Sequence, residues 1–391
     1  LSGIGIALAK YRGILFAGTT DGLFYLTAPG KFLPVPGTGK NYECWTLLTT
    51  GDTLLAGFSD GTYRVDVQNR GLSIQAQKVM DRFTYVLYPS RVDPNRVLAG
   101  SREELISYYR ENETAPWKTE NIIPIKGREI KSMAEDEKGR LWLGTRTDGV
   151  IRFDIAGGKQ PIDPLHLTTT HGLPPGGVYV AHANGHVLFL TQTGLARFDE
   201  KENRFYPDNT LGKDFSMSGT KPVFRLIEDA NRDTWFHSQN LNYHGVLKPG
   251  GTYDIISRPF LRIPISQVNC IYFDPGENSA WFASVNGLIR YDSNTQPKTR
   301  PGFSTLIRNV ESINGKIPLS YWDREERNPA PTPREFEYKD RDIRFEFAAP
   351  FFEEEKQTTY TYRLEGYDDD WAPFSTETQK DYTNLDAGTY T

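Results

Sequence analysis

The sequence predicts an all-β chain, a seven-bladed β-propeller followed by a smaller antiparallel β-sandwich. Three observations predict it. One short apolar strand pattern recurs seven times along the 391 residues. Each copy is flanked by further short strand patterns and by tight-turn residues, with no helical periodicity between them. Past about Thr305 the recurrence stops, and strict two-residue alternation takes over.

The recurrence is clearest in residues 136–154, DEKGRLWLGTRTDGVIRFD. Residues 141–145 read as an apolar, aromatic strand. Asp148 and Gly149 accept positive φ cheaply and favour a reversal. Residues 150–153 run back, and residues 130–134 supply a preceding strand. One such meander cannot bury both of its faces and needs neighbours like itself. The neighbours are LFAGT at 15–19, LLAGF at 54–58, VLAGS at 97–101, VLFLT at 187–191, TWFHS at 234–238 and AWFAS at 280–284. The fourth residues fall at 18, 57, 100, 144, 190, 237 and 283, at intervals of 39, 43, 44, 46, 47 and 46. A repeat of about 40–50 residues made only of strands reads as one four-stranded blade per copy.

In order, blade one is expected over 4–36, blade two over 43–79, blade three over 85–122 and blade four over 130–170. Blade five is expected over 177–206, with an Asn184-Gly185 hairpin turn. Blade six, 223–259, departs from the pattern, because Ser238 to Gly245 replaces the Asp-Gly return and reads as a long loop. Blade seven runs from Val268 to Asp292 without an obvious outer strand. Either residues 303–307 or residues upstream of Leu1 close the ring. The propeller is thus assigned to 1–303. Strand patterns at 306–310, 317–319, 343–347 and 359–364 then assign 304–391 to an immunoglobulin-like β-sandwich, incomplete at its C-terminus.

The net charge of −5 is mild and no basic tract is present, which argues against a nucleic-acid or anionic-membrane partner. No apolar run reaches membrane-spanning length. The chain opens on Leu1 without a signal-peptide pattern, so any such segment lies upstream or has been removed. Cys44 and Cys270 fall in the axial strands of repeats two and seven, with repeat one between them. Two buried free thiols are expected rather than a disulfide.

No G-x-S-x-G elbow, P-loop or dinucleotide fingerprint occurs, so no catalytic residue or cofactor is assigned. His182 and His186 flank a hairpin turn and Asp368 to Asp370 precede Trp371 as a turn, so no metal is assigned either. The residues that follow the seven recurrent strands are Thr20, Ser59, Arg102, Arg146, Gln192, Gln239 and Val285, which a propeller gathers on one rim. Such a rim suits a carboxylated or sulfated sugar, since arginine offers a planar fork of donors. Arg102, Arg146, Gln192 and Gln239 are therefore candidate ligand residues, with Tyr243 and His244 of the blade-six return beside them. Trp117 and Trp322 are read as exposed, as structural residues or sugar platforms.

The pattern E-D-x-x-G-x-L-W-L-G-T-x-x-x-G-V-x-R-F-D at 135–154 resembles the two-component regulator propeller repeat. YTYRLEGYDDDW at 360–371, followed by YTNLDAGTY at 382–390, is similar to the Y_Y_Y domain. This resemblance implies the periplasmic sensor region of an inner-membrane histidine kinase, often a hybrid with a fused response regulator. It further implies detection of an oligosaccharide or other small molecule, a homodimer formed through the C-terminal domain, and a transmembrane helix and kinase past Thr391. Proteins of that type usually carry two propellers, so a second one is expected upstream. A propeller-fold carbohydrate-active enzyme, a sensor region of a diguanylate cyclase and a passive scaffold are the alternatives.

Overall fold

The computed structural model describes the chain except for residues 40–41, 69–72, 92, 114, 126, 157–159, 262, 264–265, 296–302, 314–316, 319–334 and 352–357. The chain divides into two compact units, Leu1–Gln296 and Pro297–Thr391. Among the described residues no helix is long and apolar enough to cross a membrane.

The first unit is a ring of seven antiparallel meanders, the predicted propeller. The inner strands are Gly5–Tyr11, Cys44–Thr50, Val86–Pro89, Ile130–Glu135, Tyr179–Ala183, Val223–Glu228 and Val268–Asp274. Each packs on the inner strand of the next blade, and the last packs on the first. Second strands, among them Leu141–Thr145 and Thr234–Ser238, are buried along their whole length.

The recurrent residues act as scaffold. Trp142 stacks edge-on with Phe189 and Phe198 of the next blade, at 4.9 and 5.3 Å. Its indole Nε1 donates to Asp136 at 2.8 Å, and Trp235 donates to Asp229 at 2.9 Å. The acidic residue before each turn thus satisfies a buried indole six residues later. The fourth residue is small because the next inner strand crosses there. A Cβ on Gly18 would lie 2.7 Å from the Cys44 carbonyl oxygen, and one on Gly57 2.7 Å from Cγ2 of Thr84, just ahead of the next inner strand. Blade seven carries Ala283 instead, and blade one answers with Gly5, where a Cβ would stand 3.0 Å from that of Ala283. In blade six His237 is buried, pairing Nδ1 with Asn242 Oδ1 at 2.9 Å and accepting the Val268 N–H on Nε2 at 3.5 Å.

Blade seven has three strands among the described residues. Of the two closures considered, the one through residues 303–307 is overturned. Leu306–Ser312 pairs with Ile343–Ala348 in the second unit, where Val310 packs on the core while Leu306 and Ile307 stay exposed. Side chains seal the seam between blades seven and one. Asn269 Nδ2 donates to the Gly5 carbonyl at 3.0 Å, and Lys10 reaches Asp274 at 2.5 Å and Glu277 at 2.8 Å. Both cysteines are free; Cys44 is buried, whereas Cys270 is only half-buried and faces the central channel.

The second unit contains one four-stranded sheet, ordered Ile317–Pro318, Leu306–Ser312, Ile343–Ala348 and Gln379–Tyr382. The last of these strands carries the Tyr382 noted in the sequence. The expected strand at 359–364 is reduced to one bridge, Tyr360 to Ser375, with Thr361 Oγ1 donating to the Ala372 carbonyl at 2.6 Å. Ile343, Leu364, Tyr382 and Leu385 form the core. Asp368 belongs to that core's edge: it accepts from the Tyr382 hydroxyl at 2.7 Å and from the Leu364 N–H at 2.8 Å.

Candidate functional site

The seven inner strands enclose a channel of about 560 Å³, lined by every blade. In five blades the inner strand carries a β-bulge against the second strand, between Gly5 and Ala7, Cys44 and Thr46, Ile130 and Ser132, Val223 and Arg225, and Val268 and Cys270. A bulge leaves one residue outside the ladder and re-aims its side chain. The residues so re-aimed are Ile6, Trp45, Lys131, Phe224 and Asn269, and all of them line the channel. Tyr85 and Tyr179 join them from blades three and five. Because each inner strand begins opposite the end of a second strand, these residues ring the mouth that the second-to-third strand turns surround.

Cations and rings alternate at this mouth. Lys131 Nζ stands 3.4 Å from the Tyr85 ring centre and 5.5 Å from that of Trp45. Arg102 covers Phe83 at 4.8 Å, and Phe83 meets Tyr85 edge-on at 4.4 Å. Across the ring, Arg225 lies over Tyr179 at 4.2 Å and donates through Nε to the Asn269 carbonyl at 2.6 Å. Phe224 beside it is 43% exposed, a large apolar ring left facing water at the mouth. Glu129 Oε2 binds Arg146 at 3.1 Å and Lys131 at 3.2 Å. Burial pushes the Glu129 carboxyl up, but the Arg146 hydrogen bond and the Lys131 charge outweigh it and hold the group below its ordinary range.

The rim residues expected from sequence separate into three groups. Arg102 and Arg146 are exposed, flank the Tyr85–Glu129 cluster and belong to the mouth. Gln192 and Gln239 sit in two-residue turns, and Gln239 is spent on the Thr220 carbonyl at 2.6 Å. Tyr243 and His244 leave the site altogether. The expected long loop of blade six is a tight reversal at Gln239 and Asn240, both at positive φ (46° and 66°). The return strand Leu241–Leu247 therefore starts early and carries both rings into the fold. Tyr243 stacks on Phe236 at 4.9 Å, and His244 lies flat on Trp235 at 3.8 Å. Trp117 is corrected likewise: it is buried beneath the Arg110 guanidinium, 4.6 Å from its ring centre. Trp322 lies outside the described residues.

The turn residues are legible in the sequence as the positions after each recurrent strand, whereas nothing in the spacing marks the bulge residues Ile6, Trp45, Lys131, Phe224 and Asn269. At the other end, about 460 Å³ is lined by Tyr88, Arg91, His182 and Glu228 among others. His182 stands 3.9 Å from Glu228 there, and His186 lies across the tight Asn184-Gly185 turn. Among the described residues no three metal-binding side chains converge.

Residues 124–147 match the family model for the two component regulator propeller, and residues 352–391 match that for the Y_Y_Y domain. The chain carries a regulator-propeller repeat and a Y_Y_Y domain. The matched propeller residues contain Glu129, Lys131 and Arg146, so the matched repeat supplies the cationic side of the mouth. Among solved structures, the extracellular domain of a hybrid two component system from B. thetaiotaomicron is similar, with 16% identity and a TM-score of 0.64. That similarity covers 100% of this chain and 52% of the other, so the chain spans about half the length of that neighbour. A component of the Mitotic Checkpoint Complex is similar to 73% of the chain, with 12% identity, 88% coverage of its own length and a TM-score of 0.52. Virginiamycin B lyase from Staphylococcus aureus is similar over the same share, with 14% identity, 94% coverage and a TM-score of 0.50. At such identities these likenesses show the fold alone. No curated protein sequence matches the chain.

Proposed function

We propose that this chain is the extracytoplasmic sensor region of a membrane-anchored two-component histidine kinase, and that its propeller binds an acidic saccharide at the bulge-lined mouth. The observation that carries the ligand reading is the gathering of Trp45, Tyr85, Tyr179 and Phe224 with Lys131 and Arg225 around one opening, with Arg146 held beside it by Glu129. Aromatic faces suit the apolar C–H face of a pyranose. Guanidinium and ammonium groups suit carboxylate or sulfate. The regulator-propeller and Y_Y_Y matches, with the extracellular two-component neighbour, support the sensor reading. The Y_Y_Y unit then passes the change toward the membrane, in a homodimer whose two arrangements differ in ligand affinity.

Thermal-shift screening against neutral, uronate and sulfated oligosaccharides tests this. A ligand at a hundredfold its Kd adds about 2.7 kcal/mol to folded-state stability. An upward shift of a few degrees is expected for acidic members and none for neutral ones. No shift with any acidic member, or equal shifts with neutral sugars, overturns the ligand reading.

A further inference from the structure

We infer that Glu129 is a tethered self-ligand that occupies the anion seat of the mouth in the free protein and must be displaced by the incoming acidic group. The inference rests on the reading of the mouth as the ligand site and adds how that site is regulated. One carboxylate oxygen, Oε2, holds two cations from different elements, Lys131 of the inner strand and Arg146 of the following turn, at 3.2 and 3.1 Å. Its other oxygen faces the Tyr85 hydroxyl at 3.5 Å, which also interacts with the Arg102 guanidinium. Glu129 thus has the surroundings that a bound uronate or sulfate would require: a cation pair, a phenol donor and an aromatic wall.

The seat is built for exchange rather than for structure. Arg146 is 64% exposed on its side chain and Glu129 24%, so the pair is solvated and weak. Lys131, at 16%, is held by ring faces rather than by the carboxylate alone. Releasing Glu129 leaves Lys131 in its aromatic box and Arg146 in water, so neither cation is stranded. A ligand anion that takes the same two cations is opposed by the local Glu129 charge, which sets a threshold on the affinity.

Calorimetric titration with inorganic sulfate at fixed ionic strength tests the seat. Glu129→Gln keeps the shape and removes the competitor, and should bind sulfate about tenfold more tightly than the unaltered chain. Glu43→Gln removes a rim carboxylate that accepts from Ser59 at 2.5 Å rather than from the two cations, and should gain less than about twofold. Adding Lys131→Gln to Glu129→Gln should abolish the gain. Sulfate affinity in Glu129→Gln no higher than in the unaltered chain overturns the inference, as does an equal gain in Glu43→Gln. Because sulfate is not a saccharide, failure here with a positive saccharide screen removes the self-ligand and leaves the ligand reading. A null saccharide screen with a sulfate gain does the reverse.

Discussion

A Cβ on Gly144 would lie 2.3 Å from Ser132 Oγ and 2.4 Å from the Val178 carbonyl oxygen. The second of these is backbone of the next blade and cannot rotate away. Gly144→Ala is therefore expected to cost about 1–3 kcal/mol in urea unfolding. Where the same position holds His237, a buried imidazole hydrogen-bonds Asn242 and the Val268 N–H instead. Both contacts use the neutral ring, and burial pushes its pKa below the ordinary 6.5. Above that value both states are neutral and the full stability is present. As pH falls through the unfolded pKa, the unfolded chain takes up its proton first, and stability is lost until the folded pKa is passed. The urea midpoint should thus fall as the pH drops below the ordinary imidazole value of 6.5, and His237→Gln, which keeps a donor and an acceptor, should flatten that fall. His182 and His244, also depressed by burial, leave a residual slope. A pH-independent midpoint would contradict the neutral, buried imidazole.

At the scale of elements, blades one and seven are joined by side chains, since no described strand closes the ring across their seam. Lys10 compensates Asp274, whose side chain is only 6% exposed. Lys10→Met is expected to lower stability by about 1–2 kcal/mol, and Asp274→Asn in the same chain to recover part of it. Additive losses would contradict a coupled pair. The blades themselves were legible in the sequence, since a Gly, Trp and turn pattern repeats wherever identical packing is required. The bulges were not. A bulge is set by how the inner strand bends around the axis, and residues such as Trp45 and Lys131 break alternation in a way that a core strand also permits. Blade six misled for a related reason: Gln239 and Asn240 form a positive-φ turn that neither Asp nor Gly announces. The strand expected at 359–364 failed because its hydrogen bonds go to single partners, Ser375 and Ala372, rather than to a ladder.

For the molecule as a whole, sequence repetition identified the ring and its rim, while the proposed ligand mouth is built from the strands around the axis. Arg102 and Arg146 were expected from the turns, whereas the rings beside them at the mouth belong to inner strands in which no ligand residue was expected. The acidic ligand proposed above would sit at the mouth formed by Trp45, Tyr85, Lys131 and Arg225. Calorimetric titration of the best acidic saccharide from the screen into the unaltered chain and into Lys131→Gln tests it most directly. Lys131→Gln removes one of the two cations at the seat, so affinity at least about tenfold weaker is expected in a protein that still unfolds cooperatively. Equal affinity in the two proteins would contradict it.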